Sequence, residues 1–540
     1  MILEAGDSAL VLELEPRIDV AINAHAIAVA DRMVARCLPG VRDVVPTFRS
    51  VVVHLDPLAG QAALIAAALA EESASVAAPP RGRVIEVPVV YGGADGPDLG
   101  AVATFAGTTA AEVVRRHASV AYRVFMLGFA PGFPYLGPVE ESIAAPRLTV
   151  PRLKVPAGSV GIAGRQTGIY PADGPGGWRV IGRTDIELFD DTREPPTLMQ
   201  AGDTVRFVPV SSIEPRLPRV RVAPNVGSRT VTVLQAGWQT SVQDLGRWGW
   251  QRFGVPVAGA MDGLAHRLAN RFVGNDDDAA TLEVTIVGPE LRFDADTTVV
   301  VCGADLSASV AGGEVVLNQP RRVRAGDVLR FGTRRRGARA YVACAGGVAV
   351  PRIMGSRSTY AASGMGGYMG RPLRAGDRIP LGDDRASASV AIPPATIENA
   401  MTGRGIEGVR LRVLPGPQAQ VCAPDALGRL VGTRFTVSSE SNRMGYRLNG
   451  GALSPLEDAA DMISDATVSG GVQVSGSGAP ILLMCDRQTT GGYPQVAAVV
   501  TADLPLAAQL APGDRVEFCL CTQREAHAAL VAQEAILEAT

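Results

Sequence analysis

A turn-and-strand sequence occurs several times along this chain, and it restricts the fold more than any other feature. Gly-Asp precedes an alternating apolar stretch at four places: AGDTVRFVPV from Ala201, AGDVLRFGT from Ala325, AGDRIPLG from Ala375 and APGDRVEFCL from Ala511. The first and last copies follow related Arg-Gln-Thr…Tyr-Pro sequences, at 165–171 and 487–494. One Gly-Asp is a common turn, but recurrence of the turn together with its strand predicts a duplicated β module.

Length and composition set the domain count. A chain of 540 residues divides into about three or four domains of ordinary size. Its 61 glycines and 38 prolines, with only 19% charged and 5% aromatic residues, favour short strands and tight turns over a helical bundle. We therefore predict a mainly β protein, with a small α+β domain at 1–80 and β domains at 83–210, 230–395 and 396–540. A Pro/Arg-rich connector at 211–229 separates the two halves, and a short helix closes the chain.

The first domain has the element order β-α-β-β-α. Residues 9–15 alternate as a half-buried strand, and residues 20–37 are apolar at helical spacing. Residues 41–55 resemble two strands joined near a proline, and the alanine-rich stretch 62–72 predicts a second helix. This order suggests a ferredoxin-like sandwich, and none of its residues suggests catalysis.

Bulk properties exclude several classes of function. A net charge of −3 gives no electrostatic reason to expect nucleic acid or an anionic membrane as a partner. The acidic start and the absence of a long apolar run predict a cytoplasmic protein. Seven cysteines without Cys-x-x-Cys spacing and five scattered histidines predict no metal site. Lys154 is the single lysine, so the chain has no P-loop, and its PRLKVPAGS context is not that of a biotin carrier.

An exposed-loop sequence in the first half points to a pocket or an interface. In GFAPGFPYLG, residues 128–137, proline and glycine alternate with aromatic residues. Such a stiff loop carries large apolar faces, which are costly in water unless they line a cavity or contact another domain.

Longer signatures resemble a known family. Residues 128–137 and 151–184 (PRLKVPAGSVGIAGRQTGIYPADGPGGWRVIGRT) resemble the first member of the so-called allophanate hydrolase pair, now associated with prokaryotic 5-oxoprolinase as its B subunit. Segments at 241–275, 411–418, 441–450 (SNRMGYRLNG) and 482–514 resemble the second member, the C subunit. Both halves also resemble the carboxyltransferase part of urea carboxylase. The resemblance covers nearly all of 1–525 and implies cyclophilin-like β-barrels, one in the first half and two in the second.

The resemblance implies two enzymatic functions and one alternative. The first is ATP-dependent opening of 5-oxoproline to glutamate together with the separate A subunit of 5-oxoprolinase, with the ATP site unknown. The second is transfer of CO₂ from carboxybiotin, supplied in trans, to urea or a related small amide. The missing fused carboxylase modules favour 5-oxoproline. The non-enzymatic alternative is a cyclophilin-like kinase-regulator pair. Allophanate hydrolysis proper is disfavoured, because the lone lysine lacks the glycine-serine run of Ser-Ser-Lys amidases. A homo-oligomer is compatible with the sequence.

In the first half, the candidate catalytic residues are Tyr170 and Arg183, and the candidate substrate-binding residues are His117, Gln166 and Thr167. Tyrosine, histidine and arginine in Gly-rich apolar surroundings can converge on one small polar ligand. The structural alternatives are that Tyr170 and Arg183 pin turns and that His117 is a core histidine.

The second half of the chain also contains candidate catalytic and substrate-binding residues. Arg443, Asp486 and Tyr493 are its candidate catalytic residues, because guanidinium and carboxylate groups can stabilise or pair with a polarised amide. Its candidate substrate-binding residues are Asp262, Tyr446, Thr489 and Thr490. The alternatives are a turn-capping role for Asp486 and a helix N-cap role for Asp262, which we prefer for the latter. We expect Arg443 and Asp486 to share one site.

Overall fold

The four Gly-Asp sequences form the same turn in the computed structural model, which describes residues 1–75, 82–214, 223, 227–383, 408–453 and 462–539. Each glycine has a φ between 89° and 97°, in the left-handed region where a side chain is strained. Each aspartate then accepts the backbone N–H three residues earlier: Gln200 to Asp203, Arg324 to Asp327, Arg374 to Asp377 and Ala511 to Asp514, at 2.7–3.0 Å. Local turn chemistry therefore fixes four strand starts.

The N-terminal domain is a four-stranded antiparallel sheet with two helices. The strands hydrogen-bond in the order β1-β2-β4-β3. The predicted elements are present, with one additional short strand at the start. The bounds are β1 Ile2–Glu4, β2 Ala9–Glu13, α1 Val20–Ala35, β3 Val41–Pro46, β4 Ser50–Leu55 and α2 Ala62–Ala74.

The first barrel closes with seven strands in the order β10-β7-β6-β13-β5-β12-β9, and a two-stranded ladder, β8 with β11, lies beside it. Thr109 caps α4 by accepting the N–H of Glu112, a role that threonine often has at the start of a helix. The bounds are β5 Val84–Tyr91, α3 Leu99–Phe105, α4 Ala110–Ser119, β6 Ala121–Leu127, β7 Pro134–Gly137, β8 Arg152–Val155, β9 Ser159–Ala163, β10 Gln166–Ile169, β11 Gly174–Gly176, β12 Arg179–Arg183 and β13 Thr204–Pro209.

The middle domain is built from two sheets instead of one closed barrel. A six-stranded sheet, β20-β19-β22-β17-β14-β24, and a five-stranded sheet, β15-β16-β23-β18-β21, share one apolar core. Among the described residues, which end at 383 in this domain, no strand ladder joins the two sheets, so the predicted barrel at 230–395 is not closed there. The bounds are β14 Thr230–Gln235, β15 Gln239–Gln243, α5 Gly263–Phe272, β16 Thr281–Thr285, β17 Glu290–Phe293, β18 Thr297–Asp305, β19 Ser309–Val310, β20 Gly313–Glu314, β21 Arg321–Val323, β22 Val328–Arg330, β23 Arg336–Cys344 and β24 Arg378–Pro380.

The last barrel repeats the topology of the first. Its order is β25-β32-β29-β30-β27-β26-β33, again with the first and last strands parallel and with a side ladder, β28 with β31. This agreement supports duplication. The bounds are β25 Val409–Pro415, α6 Ala426–Gly432, β26 Phe435–Val437, β27 Gly445–Asn449, β28 Asp465–Ala466, β29 Gly471–Val474, β30 Pro480–Leu483, β31 Thr490–Gly491, β32 Gln495–Val499, α7 Leu504–Ala508, β33 Arg515–Leu520 and α8 Gln523–Glu538.

The two Arg-Gln-Thr sequences occupy different places in these matching barrels. In the first barrel the sequence begins β10, the fifth barrel strand. In the last barrel it follows the fifth strand, β30, and leads into the ladder strand β31. Pairing the two sequences as one repeated turn is therefore wrong. The Gly-Asp turns that begin β13 and β33 are the equivalent positions.

The N-terminal domain packs against the last barrel, far along the chain. Ala5, Ala9, Val11, Val45 and Val52 form one buried cluster with Ala466, Val468 and Ala498. Beside it, the Ser50 hydroxyl donates to Asp465 at 2.5 Å, and the Thr501 N–H donates to Asp7 at 2.9 Å. The two ends of the chain are thus joined by both apolar and polar contacts.

Three predicted boundaries fall wholly or partly outside the described residues. They are the junction at 80–83, most of the connector 211–229 and the division at 395–396. Within the described part of the chain, no helix is both long and apolar enough to cross a membrane.

Candidate functional site

A cleft of about 610 Å³ lies between the first and last barrels. One wall comes from residues 129–178 of the first barrel, and the other comes from residues 440–493 of the last barrel. Neither half of the chain forms this cleft alone. A concave site at a domain junction is the usual location of a small-molecule pocket.

The wall from the first barrel is aromatic. Phe133 packs edge-on against Tyr135, Tyr170 and Trp178, with ring centroids 5.0–5.4 Å apart, and Phe129 packs edge-on against Phe133. These rings hold one another in fixed orientations. The aromatic loop therefore lines a cavity between domains, as its composition predicts.

The last barrel is joined to this loop at Thr490. Its hydroxyl accepts the Phe129 N–H at 3.0 Å and lies 3.4 Å from the Tyr135 hydroxyl. A Cβ at Gly128 would come within 1.9 Å of the Thr490 hydroxyl oxygen. Position 128 is consequently a glycine because Thr490 occupies the space that any side chain would need.

The polar side chains of the cleft suit a small ligand with an amide and an anionic group. Among the described lining residues the one carboxylate is Glu440, and Arg447 pairs with it at 3.4 Å. The lining therefore leaves Arg147 available to an anionic ligand. Amides and hydroxyls that can bind a carbonyl or an N–H also line the cleft: Asn442, Ser464, Thr467, Gln473, Gln488 and Thr490.

Three of the predicted site residues meet in this cleft: Tyr170, Thr490 and Tyr493. Tyr170 is buried, and burial raises the pKa of its phenol to about 12, so the group is a neutral donor at physiological pH. Tyr493 is 42% exposed and lies at the cleft surface. Arg183 does not line the cleft. Its Nε donates to the Ala157 carbonyl at 3.1 Å, so it supports a loop instead.

His117 and Thr167 lie together inside the first barrel and away from the cleft. His117 is fully buried, stacks on Phe207 at 4.6 Å and lies 2.8 Å from the Tyr91 hydroxyl and 2.9 Å from the Thr167 hydroxyl. Burial lowers the pKa of His117 to about 3, so the ring is neutral. Gln166 begins the same strand as Thr167, and it does not line the cleft either. The geometry favours the core-histidine alternative.

Arg443 and Asp486 do share one site, a buried ion cluster between the middle domain and the last barrel. Arg443 donates through Nε and Nη2 to the two Asp486 oxygens at 3.0 Å each, and through Nη1 to Glu283. Arg339 donates to the Tyr446 hydroxyl at 2.6 Å. The side chains of Arg443 and Glu283 are 5% and 1% exposed.

Opposite charges stabilise this cluster against the cost of burial. Burial alone would raise the pKa of Glu283, but the charges of Arg443 and Arg339 outweigh it and lower that pKa. Burial would likewise lower the pKa of Arg443, yet Asp486 and Glu283 raise it well above its usual value. A cluster with its charges paired in this way joins the middle domain to the last barrel.

Asp262 caps α5 and extends the same cluster. One carboxylate oxygen accepts the Ala265 N–H at 2.9 Å, and the other accepts the Gln509 amide at 2.7 Å. The preferred N-cap interpretation is the one that the geometry supports. Thr489 is also buried, and its hydroxyl has no partner among the described residues.

Two residues of these sites were not predicted from the sequence, Arg147 and Glu283. Arg147 lies in a segment with no motif, and only the fold brings it to the cleft. Glu283 had a usable signal, because it is an acidic residue within TLEVT, a strand that is otherwise buried without charge. A charge in such a strand indicates an ion pair with another element.

With the fold and the cleft described, comparison with known proteins defines the class. The model for the carboxyltransferase domain, subdomain A and B, matches residues 253–520, and the model for subdomain C and D matches residues 1–199. The chain therefore belongs to the carboxyltransferase-domain family and carries both subdomain pairs.

Individual relatives match over nearly their whole length. The chain is 37% identical to the C subunit of 5-oxoprolinase from Escherichia coli over 301 residues, which is 54% of this chain and 92% of that protein. It is 48% identical to the B subunit of 5-oxoprolinase from Escherichia coli O157:H7 over 207 residues, 38% of this chain and 93% of that protein. The crystal structure of TTHA0988 matches with a TM-score of 0.84 and 34% identity, covering 96% of this chain and 100% of that one.

Urea amidolyase is also similar, over a smaller share of its length. The Saccharomyces cerevisiae protein is 32% identical over 53% of this chain, which corresponds to 16% of that protein. The Kluyveromyces lactis urea amidolyase structure has a TM-score of 0.54 and 31% identity, with 57% of this chain and 20% of that chain covered.

Proposed function

We propose that this chain is the fused B/C component of an ATP-dependent 5-oxoprolinase and that it acts with a separate A subunit. The observation that carries the proposal is the cleft between the barrels, whose walls come from both halves of the chain. The similarity to the B and C subunits of 5-oxoprolinase, over nearly their whole length, supports the same interpretation.

The cleft chemistry suits 5-oxoproline, a small lactam with a carboxylate. In the proposed complex, Arg147 binds the carboxylate, and the rings of Phe133, Tyr135 and Trp178 contact the flat face of the lactam. Amide and hydroxyl groups of the last barrel, including Gln473 and Thr490, bind the ring carbonyl and N–H. These donors are fixed in place, which is what stabilisation of a polarised amide carbonyl requires.

The reaction divides between two polypeptides. Water adds to the ring carbonyl carbon, the C–N bond breaks, and the nitrogen becomes the amine of glutamate. ATP hydrolysis drives the opening, and because this sequence has no P-loop we assign ATP to the A subunit. The chain should therefore bind 5-oxoproline without turning it over alone.

Reconstitution tests the proposal. The purified chain is mixed with the A subunit of a 5-oxoprolinase, ATP and 5-oxoproline, and glutamate is measured, with omission of each component as a control. We expect glutamate only in the complete mixture, and its slower formation by Arg147→Gln at low 5-oxoproline concentrations. Absence of glutamate from the complete mixture, with the A subunit shown to bind this chain, would contradict the proposal.

The second candidate is carboxyl transfer from carboxybiotin to urea, favoured by the similarity to urea amidolyase. Here the cleft would bind urea, and a biotinylated carrier would supply the carboxyl group. Incubation with a carboxybiotin carrier and urea would then produce allophanate. The product separates the candidates, because the first forms glutamate and the second forms allophanate, which itself carries a carboxylate.

A further inference from the structure

A second cavity, of about 530 Å³, lies on the other side of the second Arg-Gln-Thr sequence. The N-terminal domain, the segment around α5, the last barrel and helix α8 all contribute to its walls. Its lining is largely apolar and includes Trp248, Met261, Leu264, Met484 and Leu504. None of the chemistry proposed for the cleft uses this space.

Arg487 lies in the wall of this cavity with part of its guanidinium unpaired. The residue is 2% exposed. Its Nη2 donates to the Gln251 amide oxygen at 2.7 Å and lies 3.5 Å from the Thr467 carbonyl, while its Nε has no acceptor among the described residues. Burial lowers the pKa of Arg487 to about 10, which reflects a positive charge with too little compensation. Buried charges are normally paired.

The other charges that line the cavity are neutralised. Arg42 pairs with Asp56 at 3.0 Å and stacks over Trp248 at 5.2 Å. Arg267 pairs with both Asp277 and Glu534.

The charge of Asp43 acts on Arg487, but this carboxylate already accepts other hydrogen bonds. One Asp43 oxygen accepts the N–H groups of Gly249 and Gln251 at 3.0 Å each. Nearby His54 is neutral, since burial, and then the charge of Arg487, lower its pKa to about 3. Among the described residues, the hydrogen-bond acceptors of the Arg487 guanidinium are thus neutral.

We infer that this cavity binds a small monocarboxylate with an aliphatic body, with the carboxylate on Arg487 and the chain against the apolar wall. The volume is that of an ordinary small-molecule pocket. A carboxylate on a buried guanidinium gains a charge-assisted hydrogen bond, and the aliphatic body gains burial. The site is separate from the cleft, although Gln488 and Thr490 of the same sequence line that cleft.

Calorimetric titration of the whole chain with octanoate, and with octanamide as its neutral counterpart, tests the inference. We expect octanoate to bind on the order of tenfold more tightly, the scale of one hydrogen bond to a charged group. Arg487→Met should remove this preference. Arg42→Met, which removes a paired arginine of the same cavity, should keep it. Failure of the wild type to bind octanoate, or to prefer it to octanamide, would overturn the inference, as would a preference retained by Arg487→Met.

Two further variants locate the site even where Arg487→Met fails to fold. Leu245 lines the cavity and is 39% exposed, so Leu245→Trp fills space without disturbing a packed core. Leu245→Trp should weaken the binding of both octanoate and octanamide by at least tenfold. Unchanged binding would overturn the inference. Arg147→Gln should leave octanoate binding intact, whereas its loss would place the ligand in the cleft and refute a second site.

Discussion

Replacing Gly128 by alanine should separate the two walls of the cleft. The new Cβ would meet Thr490 at 1.9 Å from Oγ1, 2.6 Å from Cγ2 and 2.8 Å from Cβ. Thr490 is fully buried and cannot swing away, and the φ of Gly128 is not positive, so the cost is steric alone. Overpacking costs about 1–3 kcal/mol, and loss of the Phe129–Thr490 hydrogen bond adds about 1 kcal/mol.

Hydrogen exchange at the Phe129 amide measures this cost directly, because that amide is protected by Thr490. If the free energy of local opening falls by about 2–4 kcal/mol, the amide should exchange about 30- to 700-fold faster. Gly174→Ala is the matched control, since a Cβ there meets nothing within 4 Å.

A double-mutant cycle identifies the cause. Thr490→Gly removes the three atoms nearest to the new Cβ, and with them the acceptor of the Phe129 amide. The cycle is therefore measured as the free energy of unfolding in urea titration, and Gly128→Ala should cost much less in that background. Wild-type exchange in Gly128→Ala, or an equal cost with and without Thr490, would refute the steric account.

Three other outcomes follow from the site. Arg443→Met leaves Glu283 and Asp486 buried without their partner, so the free energy of unfolding should fall by about 3–5 kcal/mol in urea titration; an unchanged midpoint would contradict a structural role. Arg147→Gln should keep the wild-type melting temperature while raising KM for 5-oxoproline about tenfold or more in the reconstituted system; an unchanged KM would remove Arg147 from the substrate site. His117 has a folded pKa near 3 against 6.5 in the unfolded chain, so the unfolded state takes up the proton first and stability is lost as pH falls below about 6.5. His117→Gln should therefore flatten the decline of stability between about pH 6.5 and 4 in acid titration, by up to about 1.4 kcal/mol per pH unit.

The parts of the fold that could be predicted are those with a local cause. The Gly-Asp turns are set by a left-handed glycine and an aspartate that bonds three residues back, and the α5 cap is set by Asp262. Both are complete within a few residues of sequence. Pairing the two Arg-Gln-Thr sequences was wrong for the opposite reason. Similar residues recur there at positions that the barrel topology does not relate.

The candidate site could be predicted only in fragments. Tyr170 and Thr490 were found as members of motifs, but their meeting depends on packing between segments more than 300 residues apart. No local sequence pattern indicates that Arg147 faces the last barrel. Arg443 and Asp486 were correctly paired, yet sequence alone could not show that Glu283 completes their ion cluster.

The contact between the N-terminal domain and the last barrel has a consequence for synthesis of the chain on the ribosome. The apolar face that includes Val11 and Val52 is covered by Ala498, about 450 residues later. At about 5–20 residues per second, that face stays uncovered for roughly 20 to 90 s while the rest is translated. During this interval the nascent protein exposes a surface that a chaperone, or another nascent chain, can bind. Overproduced chains truncated before residue 460 should therefore aggregate through their first 55 residues.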